Sequence, residues 1–108
     1  MDHFTAALNA HDIDATMALV TDDIVFESTS PAPDGTRYEG RDAVRQIWAG
    51  ILAATPRARF SVEEQFSDGS GRAVVRWRYD WADGHVRGVD IVWVRNGRLA
   101  ESLAYVKG

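Results

Sequence analysis

The second half of the chain is cut three times by turn-forming residues, at Asp68-Gly69-Ser70-Gly71, Asp83-Gly84 and Asn96-Gly97, and no other feature constrains its folding as much. Asp-Gly and Asn-Gly tolerate the positive φ of a two-residue hairpin turn, whose twist matches that of the strands it joins. The segments between the turns are rich in β-branched and aromatic residues. They predict a four-stranded antiparallel meander at about residues 58–67, 72–81, 86–95 and 98–106. Cover for such a sheet has to come from the first half.

That half is helical in period. Phe4, Ala7 and Leu8 predict a short helix ending near Asn9-Ala10-His11. Asp12 can cap a second helix with Ile13, Met17 and Val20 on one face, ended by Thr21-Asp22-Asp23. Ile24 to Ser28 reads as a first strand. Ser28 to Glu39 carries Pro31, Pro33 and Asp34-Gly35 and reads as a loop, long enough to serve as a lid or interface element. Gly40-Arg41-Asp42 opens the clearest helix, where Val44, Ile47, Trp48, Ile51 and Leu52 keep helical spacing until Pro56 stops it. Helices first and strands afterwards predict an α+β fold with the helices on one face of the sheet. At 108 residues the chain fits one domain, residues 1–108.

Alternation sorts the strand faces. Ala73, Val75, Trp77, Tyr79 and Trp81 oppose Val74, Arg76, Arg78 and Asp80, so the aromatic side is expected to be buried. On the next strand Val86, Gly88, Asp90, Val92 and Val94 oppose Arg87, Val89, Ile91, Trp93 and Arg95, and neither side is polar. A strand apolar on both faces needs cover on both. Helices supply one cover, and a second copy of the chain, forming a homodimer through the sheet face, is expected to supply the other.

A net charge of −4 gives no electrostatic footprint for nucleic acid or an anionic membrane surface. No run of about 18 apolar residues is present to span a bilayer. The start, Met1-Asp2-His3-Phe4, lacks the basic and apolar regions of a signal peptide, so a cytoplasmic location is the default expectation. Without cysteine there is no thiol chemistry. His3, His11 and His85 are scattered and lack a ligand spacing, so neither a metal nor another cofactor is expected.

Four phrases in this order, Leu8 to Ala15, Asp22 to Glu27, Tyr38 to Val44 and Asn96 to Leu99, resemble the nuclear transport factor 2-like (SnoaL-like) superfamily. The resemblance extends from about Phe4 to Val106. It implies a cone, in which a curved antiparallel sheet carries the long helix and the second helix on its concave face around a small cavity. It places Phe26, Trp48, Ile51, Val75, Trp77, Tyr79 and Leu8 around or near that cavity, and its match puts Ser28 in the site; Tyr38, at the end of the long loop, either reaches the cavity mouth with its hydroxyl or anchors the loop. The plainer alternative is that these aromatic residues fill a core and leave no cavity.

Asp90 is the candidate for chemistry, a carboxyl among Val86, Gly88, Val92 and Val94. Periodicity does not say whether its face lines the cavity or whether an arginine pairs with it. The resemblance implies the cavity, because ketosteroid isomerases of this superfamily carry a hydrogen-bond-donating aspartic acid at the matching place. It also withholds the rest of that machinery: Phe4 stands where those enzymes have a tyrosine, and Ser28 where they have an aspartate base. The Asp-Arg-Asp arrangement of limonene epoxide hydrolases is not matched either, since Arg76 and Arg78 lie opposite the aromatic row. Two readings remain open. One is an enzyme doing acid/base chemistry of isomerase, cyclase or hydrolase type on a small apolar substrate. The other is a binder or accessory protein that uses the same cavity without turnover.

Overall fold

A computed structural model describes residues 2–108. The elements are α1 (Asp2–Asn9), α2 (Ile13–Met17), β1 (Val20–Glu27), β2 (Arg37–Glu39), α3 (Arg41–Ala54), β3 (Arg59–Ser67), β4 (Arg72–Trp81), β5 (Gly84–Arg95) and β6 (Arg98–Val106). The six strands form one curved, unclosed sheet in the order β2-β1-β6-β5-β4-β3. It is the expected α+β architecture with one departure, because β1 runs parallel to β6 while every other pair is antiparallel.

Local chemistry explains the element ends. Asp12 caps α2 by accepting from the Ala15 backbone N–H at 3.0 Å. In α3, Val44, Trp48 and Leu52 recur every four residues and are the buried stripe. Gly40 precedes it with φ 90°, a conformation costly to any residue with a Cβ. The Thr55 hydroxyl donates to the Ile51 carbonyl at 2.7 Å and closes the other end. Asn96 and Gly97 have φ 53° and 78°, the two positive values a tight hairpin turn requires.

Four expectations are corrected. The second helix stops at Met17, and Val20 to Asp23 are strand, because Val20 pairs with Leu99 and is fully buried there. Within the expected loop, Arg37–Glu39 forms β2 against β1, with Tyr38 opposite Phe26. The β4–β5 turn sits one residue early: Trp81 pairs with Gly84, so Ala82 and Asp83 form the tip. Trp81 is 40 % exposed instead of buried, since β4 runs past the core at that end.

The core is Met17, Val20, Ile24, Val44, Trp48, Val75, Val92 and Leu99. It lies between the concave sheet face and the helices. α3 packs on β1 and β2, α1 on β3, and α2 bridges α1 and α3. The helix that reaches the far strand is α1, while α2 contributes Met17 to the core on the concave face. No helix among the described residues is long and apolar enough to cross a membrane.

Candidate functional site

Register fixes which side chains meet on the concave face, because directly paired residues project to the same side. Phe60 pairs with Tyr79 and Val62 with Trp77; Trp77 pairs with Gly88 and Val75 with Asp90. Asp90 pairs in turn with Ala104, Val92 with Ser102, and Ser102 with Phe26. Helices α1 and α3 roof these residues without filling the space. They leave a cavity of about 530 Å³.

The cavity has two aromatic walls. On the helix side the Trp48 ring meets Phe4 and Phe26 edge-on, each at 5.5 Å, and Phe26 stacks on Tyr38 at 6.2 Å. On the sheet side Phe60 lies 5.7 Å from Trp77 and 6.5 Å from Tyr79. Of the residues expected around or at the mouth of the cavity, Phe26, Ser28, Tyr38, Trp48, Ile51, Trp77, Tyr79 and Leu8 line it, as does Asp90. Val75 does not. It is fully buried in the core behind the floor, although it pairs with Asp90.

Asp90 is the carboxyl of this cavity. Burial pushes its pKa up from 3.8 to about 6, opposed by hydrogen bonds from Trp77 and Ser102. The Trp77 indole N–H donates to Oδ1 at 2.9 Å. Among the described residues no cation forms a salt bridge with it, so it has hydrogen-bond partners but no counter-charge. Arg76 and Arg78 are engaged elsewhere, with Glu64 at 3.2 Å and Asp80 at 2.9 Å.

Several other polar groups at the cavity are engaged within the protein. Ser28 lines the mouth, but its hydroxyl donates to the Ser30 carbonyl at 2.8 Å and accepts from the Thr36 N–H at 3.1 Å. It anchors the loop. The Tyr79 hydroxyl is 2.6 Å from that of Thr55. His11 places Nε2 3.0 Å from the Thr55 carbonyl and Nδ1 3.3 Å from that of Asn9. The Asn9 side chain donates to the Phe60 carbonyl at 2.8 Å and accepts from its N–H at 2.7 Å, acting as a strand partner for the edge of β3. Glu27 is on the surface, paired with Arg37 at 3.1 Å. His3 and His85 are exposed.

Sequence reasoning missed Phe60, Ser102 and Asn9. Alternation of Phe60 with Val62 would have pointed to the first. Nothing in the sequence marks the other two, whose roles depend on which strands become neighbours. A second hollow, of about 270 Å³, lies at the β5–β6 end among Arg76, Arg87, Tyr105 and Lys107. It holds no acid or nucleophile poised for chemistry, so the large cavity is the candidate site.

The family model described as a SnoaL-like domain matches residues 1–102. An NTF2-like protein of unknown function from Mesorhizobium loti is 46 % identical, with a TM-score of 0.84 over 100 % of this chain and 88 % of that one. A candidate polyketide cyclase from Sinorhizobium meliloti is 21 % identical, with a TM-score of 0.81 over 96 % of this chain and 91 % of its own. A candidate ketosteroid isomerase from Kribbella flavida is 18 % identical, with a TM-score of 0.81 over 99 % and 74 %. The last two likenesses concern the fold alone. None of the curated proteins matches the chain significantly.

Proposed function

The chain belongs to the SnoaL-like domain family, and on that footing we propose that it is a small-molecule pocket protein performing acid/base chemistry. The reaction is of isomerase, cyclase or hydrolase type, on a small and largely apolar substrate. Asp90 serves as acid or hydrogen-bond donor to the substrate. One observation carries this reading: a carboxyl without a counter-charge, held at a pKa of about 6, at a 530 Å³ cavity walled by aromatic rings. A group titrating near neutrality exchanges protons most effectively under working conditions. The names of the cyclase and isomerase neighbours fit such chemistry, but at their identities they share only the fold.

The test is a panel of small cyclic ketones, epoxides and alkenes, read by tryptophan fluorescence and by product formation. Trp48 and Trp77 make the cavity its own reporter. A compound that is both bound and turned over should keep its affinity in Asp90→Asn and lose turnover by about 10²-fold or more. Turnover unchanged in that variant removes Asp90 from the reaction.

A second reading, ligand binding without turnover, has its own support. Phe4 stands at the cavity without a hydroxyl, and the Ser28 hydroxyl is spent on its loop. Saturable binding with no product across the panel favours it.

The outer sheet face supports an assembly proposal. Register lines up Phe66, Val74, Ile91 and Leu103 in one apolar row across four strands. Phe66 is 63 % exposed and nearby Tyr105 54 %. The intrachain ion pairs Arg72–Glu101, Arg76–Glu64 and Arg87–Glu63 flank the row, and a contiguous exposed apolar row is the kind of surface that two copies bury against each other across a two-fold axis. A homodimer through this face is the expected form in solution, and sedimentation as a monomer at micromolar concentration would refute it.

A further inference from the structure

Trp77 and Gly88 are cross-strand partners, and the indole uses the space that a side chain at Gly88 would take. A Cβ built there would stand 2.2 Å from the Tyr105 carbonyl oxygen on β6, 2.7 Å from Cζ2 of Trp77 and 3.0 Å from Cη2, so the β6 backbone and the indole both exclude it. Real Cβ atoms do not approach so closely. The absence of a side chain at Gly88 therefore lets the ring lie across β5 and bring its N–H to Oδ1 of Asp90, two residues along that strand. Trp77 is 7 % exposed and lines the cavity, and its single N–H is spent on Asp90.

The chemistry of the two groups bonded to Asp90 differs. An indole N–H only donates. A hydroxyl, such as that of Ser102, donates or accepts according to how it rotates. Only Trp77 makes the same demand on Asp90 whether the acid is ionised or protonated: Oδ1 must accept. We infer that Trp77, seated on Gly88, is a positioning residue that reserves Oδ1 of Asp90 as an acceptor and leaves Oδ2 as the oxygen that gains and loses the proton. This rests on the proposed acid role of Asp90. It adds which atom acts and which two residues determine it. Trp77 is then more than a hydrophobic wall, and Gly88 is required for a reason other than a turn.

The test uses ligand-free protein, so its outcome is independent of whether a substrate is ever found. In the wild type, the Trp77 Nε1–H resonance should titrate with the same midpoint as the Asp90 carboxyl carbon, moving downfield as the carboxylate forms. In Asp90→Asn that titration should vanish. In Trp77→Phe, where a donor to the carboxylate is lost, the Asp90 midpoint should move up. The fluorescence of the remaining tryptophans reports whether the variant is folded. An indole resonance indifferent to the ionisation of Asp90 overturns the inference without any variant. So does an unchanged Asp90 midpoint in folded Trp77→Phe. If both measurements come out as expected while no compound binds, the positioning stands and the proposed function falls.

Discussion

Replacing Asp90 with Asn should stabilise the protein in a pH-dependent way, and the size of the effect follows from the carboxyl's surroundings. Its pKa rises from 3.8 in the unfolded chain to about 6 in the fold because burial disfavours the anion. The folded protein therefore holds this proton more tightly than the unfolded chain does. Stability from the protonated acid is fully present below 3.8 and is lost as pH rises through about 6. At about 1.4 kcal/mol per pH unit, the gap between 3.8 and about 6 corresponds to about 3 kcal/mol. Asn preserves the shape and can still accept from Trp77 through its carbonyl oxygen, but it cannot ionise. Urea denaturation of both proteins from about pH 3 to pH 8 should give nearly equal stability at the acid end, where Asp90 is neutral in both the folded and the unfolded chain. Near pH 8 the variant should lead by about 2–3 kcal/mol. The comparison also cancels carboxylates of opposite sign. Asp23, held down to about 2 by Arg95, and Glu63, held down by Arg87, lose their contribution as pH falls, and do so equally in both proteins. A difference that stays flat across this range would refute the buried, counter-charge-free description of Asp90.

Two other substitutions probe what surrounds the site. Asn9→Ala removes both hydrogen bonds that clamp α1 to Phe60 and should cost about 1–3 kcal/mol, seen as a lower urea midpoint with an unchanged slope; a loss below about 0.5 kcal/mol would mean the clamp contributes nothing. Ile91→Glu places a charge in the middle of the outer apolar row and should convert the proposed dimer to a folded monomer in sedimentation; an assembly that withstands it is built on another surface.

Most of the architecture was legible because it is written in short-range patterns. Turn dipeptides at Asp83-Gly84 and Asn96-Gly97, helical spacing from Val44 to Leu52 and alternation from Ala73 to Tyr79 each act within a few residues. Their consequences, a meander behind a helical half, hold whatever the tertiary arrangement. The misreadings fall where a distant partner outweighed a local preference. Val20 fits the apolar face of α2 as well as it fits a strand, and pairing with Leu99 decided between them. Arg37–Glu39 became strand because β1 offered it an edge.

The candidate site divides in the same way. That Asp90 sits on an apolar strand face, and that Trp77 and Tyr79 share one face, follows from a period of two and needs no structure. Whether that face meets a filled core or a cavity does not follow, because it depends on how far the helices stand from the sheet. Phe60 and Ser102 join Asp90 only because β3 lies beside β4 and β6 beside β5. The resemblance could put Ser28 in the site, but not reveal the use of its hydroxyl by the loop it begins. The sequence determines which faces are apolar and where the chain turns, since those depend on neighbours along the chain. Only the tertiary structure decides which atoms face Asp90, because hydrogen bonding and burial depend on neighbours in space.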